Sequence, residues 1–133
     1  MPAIADLSGR ASEVKTFTSE PDSVFEARSW ATKVCETFGI AGELLDTYRL
    51  LVSEVVTNAV MHGQGADYTV VVCGDGWVEV WDAGSELPHK REHGLESEGG
   101  RGLDLLELLA PGYRVVQDDR GGKCVRFLPE VSA

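Results

Sequence analysis

Between residues 42 and 62 the chain carries apolar side chains at helical intervals: Leu45, Tyr48, Leu51, Val52, Val55, Val56 and Ala59. The spacing predicts a helix from Gly42 or Glu43 to His62, and Gly63-Gln64-Gly65 stops it. An apolar face this broad has to be buried against a second layer. The residues that follow supply one. Tyr68 to Cys73 is a β-branched run, Gly74-Asp75-Gly76 a tight turn, and Trp77 to Trp81 a second strand; together they read as a β-hairpin.

The flanking segments extend this pattern. Glu13 to Thr18 fits a short strand. Glu20-Pro21-Asp22-Ser23 reads as a helix start with Asp22 or Ser23 as the cap, and Val24, Ala27, Ala31, Val34, Cys35 and Phe38 continue it as far as Gly39. Trp30 lies beside that stripe, as core or as contact surface. Asp82 to Gly100 has little periodicity and is expected to be a long mobile loop, a type that is usually functional inside a compact domain. A short helix is expected from Arg101 to Leu109, broken by Pro111-Gly112. Tyr113 to Gln117 and Lys123 to Leu128 form a closing hairpin around Asp118-Asp119-Arg120-Gly121-Gly122. Residues 1–12 show no periodicity and are expected to be a flexible tail ahead of one domain over 13–129. The order β-α-α-β-β-loop-α-β-β implies an α+β fold: a two-layer α/β sandwich, with a mostly antiparallel sheet covered by helices on one face.

Composition narrows the function classes. A chain of 133 residues, 43% hydrophobic and 26% charged, makes one ordered domain. A formal net charge of −10 argues against a general DNA or RNA binder, which needs a basic face for the phosphates. It suits solubility, or a partner with a basic surface. Cys35, Cys73 and Cys124 are far apart and form no CxxC pair or Cys/His cluster, so they read as reduced, buried thiols rather than a zinc site. No leader pattern opens the chain, and no apolar run approaches the ~20 residues of a membrane helix. A cytoplasmic protein that does not enter a membrane is therefore expected.

Three short stretches carry chemistry. At ~100° per residue, Glu54 and Asn58 lie one turn apart on the edge of the long helix's apolar face, with His62 near the same line. A carboxylate beside a carboxamide offers a proton acceptor and a neutral oxygen ligand, enough for an Mg²⁺ that keeps several waters. Taken alone, the pair fits a solvated helix face better. Val78-Glu79-Val80-Trp81-Asp82-Ala83-Gly84 ends an apolar strand in Asp-x-Gly, placing one carboxylate at the sheet rim beside a residue with no Cβ. Such a carboxylate can accept from the exocyclic amine of adenine, and Asp-x-Gly also serves as a plain strand-ending turn. Glu98-Gly99-Gly100-Arg101-Gly102-Leu103 opens a helix, where backbone N–H groups and the helix dipole favour an anion. Arg101 adds a cation suited to phosphate.

In this order and at this spacing, the sequence resembles the histidine-kinase-like ATPase superfamily (GHKL), most closely its bacterial anti-sigma-factor/serine-protein-kinase branch. Residues Leu51 to Gly63 look like the N box of that branch. Asp82-Ala83-Gly84, Gly99-Gly100-Arg101-Gly102-Leu103 and Gly121-Gly122-Lys123-Cys124-Val125 look like its first, second and third glycine boxes. The likeness covers about residues 13 to 129. It implies the histidine-kinase-like ATPase fold, with ATP and Mg²⁺ as ligands. Glu54 would be the general base and Asn58 the Mg²⁺ ligand. Asp82 would accept from the adenine amine, with Gly84 letting the base pack closely. Gly100, Arg101 and Gly102 would contact the phosphates, with Leu103 in the same loop. His62 would be a phosphate neighbour or a packed helix-end histidine.

Two positions depart from the branch's pattern: Glu86 replaces the second glycine of the first box, and Cys124 stands where a hydroxyl residue near adenine is expected. The resemblance further implies a protein-serine/threonine kinase acting on an anti-anti-sigma partner and sequestering a sigma factor, often as a homodimer, with no direct contact to nucleic acid. The alternative is a non-catalytic ATP-binding interaction module.

Overall fold

A computed structural model of the chain describes residues 4–5, 11–63, 65–84, 101–117 and 121–130. Helix α1 spans Ser23–Thr37 and α2 spans Gly42–His62; a hairpin of β3 (Asp67–Cys73) and β4 (Val78–Asp82) follows. After α3 (Arg101–Leu109) the chain closes with β5 (Arg114–Gln117) and β6 (Lys123–Phe127). Ahead of the helices lie β1 (Ile4–Ala5) and β2 (Ala11–Thr18). Helices α2 and α3 have the bounds their periodicity indicates. Strand β2 starts earlier than the expected Glu13. Ile4 and Ala5, within the stretch read as a tail, pair with Ser12 and Ala11. A strand so short has no sequence period of its own and becomes visible only through its partner.

The sheet has six strands in the order β1-β2-β3-β4-β6-β5, and every neighbouring pair is antiparallel. One face is covered. Tyr68, Val70 and Val72 of β3, Val78 and Val80 of β4, and Val125 and Phe127 of β6 are all buried there with Leu51, Val52, Val55 and Val56 of α2. Burying each such side chain stabilises the fold by roughly 1.5–3 kcal/mol. Directly opposed residues of an antiparallel pair share a face, so the register Val78↔Phe127, Val80↔Val125, Asp82↔Lys123 puts all six on the covered side. Glu79, Trp81, Cys124 and Arg126 alternate to the other face. There the Trp81 indole donates to Glu79 at 2.9 Å, and Arg126 stacks 4.3 Å over the Trp77 ring.

Side-chain hydrogen bonds fix the helices onto the sheet. The Tyr48 hydroxyl on α2 donates to the Gly76 carbonyl in the β3–β4 turn at 2.6 Å. At the start of α1 the expected side-chain cap is replaced by another device. Asp22 is already helical (φ −64, ψ −24) and its side chain caps nothing. The Ser23 hydroxyl instead donates to the Glu20 carbonyl at 2.8 Å and lies 2.7 Å from the Tyr68 hydroxyl. Its single proton goes to Glu20, so Tyr68 is the donor to Ser23. Trp30 packs edge-on against Phe17, with ring centroids 5.9 Å apart, at the margin of the core. Cys35, Cys73 and Cys124 are buried and lie outside any disulfide. No helix among the described residues is long and apolar enough to cross a membrane.

Candidate nucleotide site

The C-terminal end of α2 abuts the end of β4. A Cβ built on Gly63 would lie 3.4 Å from both Cβ and Cγ of Asp82. One built on Gly84 would lie 3.0 Å from Gly63 Cα and 3.1 Å from both the His62 carbonyl and Asp82 Oδ1. Gly84 thus permits a close approach by the α2 terminus. Strand β6 crowds the same corner, because a Cβ on Gly122 would meet the Asp82 carbonyl at 2.6 Å, a distance real side chains do not show. Two residues without Cβ therefore let a helix end and a strand start converge on one carboxylate.

On α2, Glu54, Asn58 and His62 are all half-buried. The Asn58 side-chain oxygen is fully buried and has no hydrogen-bond partner among the described residues. Buried polar oxygens are normally satisfied, and leaving one unpaired costs about 1–3 kcal/mol. A neutral amide oxygen held in this way is a suitable ligand for a hard cation such as Mg²⁺, so the residues present fit that ion. Among the described residues no group of three or more His, Cys, Asp and Glu could hold a metal by itself.

Asp82 stands at the rim of the covered face, as its position at the end of an apolar strand implies. Its carboxylate is already engaged. Oδ1 accepts from the Gly84 N–H at 2.8 Å, and the Lys123 ammonium sits 3.0 Å from both Oδ1 and Oδ2. Both side chains are only 5% exposed. Lys123 is the residue that motif reading passed over. The third glycine box led to Cys124, but Cys124 pairs with Trp81 on the opposite face of the sheet. Burial pushes the Cys124 thiol up to about 12, with the Glu79 charge adding to the effect. The alternation of Val125 and Phe127 as buried neighbours was the signal that could have pointed to Lys123 instead.

Arg101, Gly102 and Leu103 form the first turn of α3, as expected for a helix opening at that loop. Gly100, Glu86 and the expected loop from Ser85 to Gly100 lie outside the described residues. The structure therefore brings the helix bearing Glu54, Asn58 and His62 together with Asp82, Gly84 and Lys123.

None of the curated proteins matches the chain. Among solved structures it is similar to the crystal structure of the RsbU and RsbW domains of Rv1364c from Mycobacterium tuberculosis, with a TM-score of 0.63 and 20% sequence identity. That similarity covers 92% of this chain and 33% of the other, and at this identity it concerns the fold. A family model described as the histidine kinase-like ATPase domain matches residues 17–128, from β2 to just beyond β6. The match takes in both hairpins, all three helices and every candidate site residue, and the chain belongs to the histidine kinase-like ATPase domain family.

Proposed function

We propose that this chain is an Mg-ATP-binding regulatory protein of the anti-sigma type. In this reading it transfers the terminal phosphoryl group of ATP to a serine or threonine of an anti-anti-sigma partner and also sequesters a sigma factor. It works in the cytoplasm, as a monomer or homodimer, without touching nucleic acid or membrane. The observation that carries the reading is the unpartnered, buried oxygen of Asn58, one helical turn from Glu54 on a helix whose end meets Asp82. Membership of an ATPase-domain family supplies the ligand class, and the net charge of −10 suits a partner with a basic surface.

The roles divide by element. The Glu54 carboxylate takes the proton of the attacking hydroxyl as the new O–P bond forms and the bond to ADP breaks. Asn58 Oδ1 would hold Mg²⁺, which when bound neutralises charge on the phosphates. Gly100, Arg101 and Gly102 would contact the same phosphates, with Leu103 in the same loop, and His62 would be a phosphate neighbour. Asp82 and Gly84 serve the base.

Glu54→Ala tests the reading. It should keep Mg-ATP binding, measured by calorimetry, and slow radiolabelled phosphoryl transfer to anti-anti-sigma-type domains by ~10²–10⁴-fold. A wild-type chain that binds ATP tightly but phosphorylates no such domain would instead be a non-catalytic interaction module. Unchanged transfer in the variant would remove Glu54 as the base.

A further inference from the structure

Two leucines on neighbouring helices face solvent: Leu50 on α2 is 41% exposed and Leu108 on α3 is 73% exposed. Both lie toward the β3–β4 turn. Tyr48, two residues before Leu50, reaches the Gly76 carbonyl in that turn. The Leu109 carbonyl, next to Leu108, accepts from the Glu130 N–H just beyond β6, and Phe127 of β6 pairs with Val78 at the start of β4. Helices α2 and α3 pack against each other, so the two leucines stand at one end of the helix layer. The charge around them is mostly of one sign. Glu43 and Asp46 on α2 and Asp104 and Glu107 on α3 are exposed, and the nearby Arg49 pairs with Asp46 at 2.9 Å.

The direction of transfer connects this end of the layer to the site. Asp82 meets the C-terminal end of α2 at Gly63. Asn58 lies about one turn before that end, and Glu54 one turn before Asn58. A nucleotide with its base at Asp82 and its phosphates at Asn58 therefore runs along α2 toward the helix N-terminus. Attacking and leaving oxygens stand roughly in line across the transferred phosphorus, so the acceptor hydroxyl enters from the Leu50 side. Helical side chains lean toward the N-terminus, which carries the Glu54 side chain over the turn that holds Leu50.

We propose that Leu50 and Leu108 form the docking surface for the acceptor protein, and that this protein carries large apolar side chains beside its reactive serine or threonine, with basic residues around them. Covering the leucines supplies attraction, and the surrounding carboxylates favour a basic rim. This inference rests on the kinase reading and adds the chemistry of the acceptor surface.

The test uses the full chain and an anti-anti-sigma-type domain that it phosphorylates, with kcat and KM for the acceptor measured beside calorimetric ATP binding. Leu50→Ala and Leu108→Ala should each raise KM for the acceptor about tenfold. Both should leave kcat, ATP affinity and Tm unchanged, because neither side chain is in the core. Leu50→Met should restore KM, and added salt should raise the wild-type KM. Unchanged KM in both alanine variants overturns the inference, and so does a loss of ATP affinity that accounts for the whole effect. A wild-type KM indifferent to salt overturns the basic rim. Wild-type protein that binds ATP but phosphorylates no such domain overturns the kinase reading itself, and this inference falls with it.

Discussion

Replacing Lys123 by methionine measures how deeply the Asp82–Lys123 pair is embedded in the fold. The substitution removes two of the three hydrogen bonds that the Asp82 carboxylate accepts, leaving the one from Gly84. The remaining carboxylate would be an uncompensated charge at 5% exposure. Breaking a buried ion pair by deleting one partner costs about 3–5 kcal/mol. Against a total stability of about 5–15 kcal/mol the variant should still fold at low temperature. At roughly 4 °C per kcal/mol for a chain of this size, Tm should fall by about 12–20 °C. Adding Asp82→Asn removes the orphaned charge while keeping an oxygen for the Gly84 N–H. The double variant should therefore recover about 2 kcal/mol relative to Lys123→Met alone. Urea unfolding of wild type, both single variants and the double variant, followed by circular dichroism, yields the coupling energy directly. A cost below about 1 kcal/mol for Lys123→Met, the range of exposed ion pairs, would refute the reasoning. So would a double variant less stable than Lys123→Met.

Two further predictions concern the rest of the fold. Ser23→Ala should destabilise by about 1–3 kcal/mol because it strands the buried Tyr68 hydroxyl, whereas Tyr68→Phe should cost only about 0.5–1.5 kcal/mol because Ser23 still donates to Glu20; the opposite ranking in urea melts would reverse the assigned donor direction. The Cys35 and Cys124 thiols are both pushed from 9.0 up to about 12, by burial first and then by Glu36 and Glu79 respectively. The unfolded chain thus loses these protons first, so stability is intact below pH 9 and falls between pH 9 and 12, by about 1.4 kcal/mol per pH unit for each thiol. Urea melts of wild type and Cys35→Ala across pH 8–10.5 check the sign and the share of one thiol, and an unchanged slope in the variant would refute it.

The amino-acid sequence alone determined the parts of this protein that rest on local periodicity and chain-breaking residues. The bounds of α2 follow from seven apolar side chains at helical spacing and a glycine stop, and the hairpin of β3 and β4 from two β-branched runs about a tight turn. Because such patterns depend on neighbours only a few residues away, the α+β order was legible, and so were Glu54, Asn58 and Asp82 as the groups on one helix edge and at one strand end. Tertiary structure decided what depends on partners distant along the chain. Ile4 and Ala5 become a strand only because Ala11 and Ser12 lie beside them. Asn58 is distinguished from an ordinary surface asparagine only by the packing that buries its oxygen without a partner. The choice between Lys123 and Cys124 turns on the register of β6 against β4. Side chains alternate along a strand, so a displacement of one residue sends a group to the opposite face of the sheet. Pairing of Val80 with Val125 and Val78 with Phe127 under α2 sets that register, and it delivers an ammonium rather than a thiol to the Asp82 carboxylate.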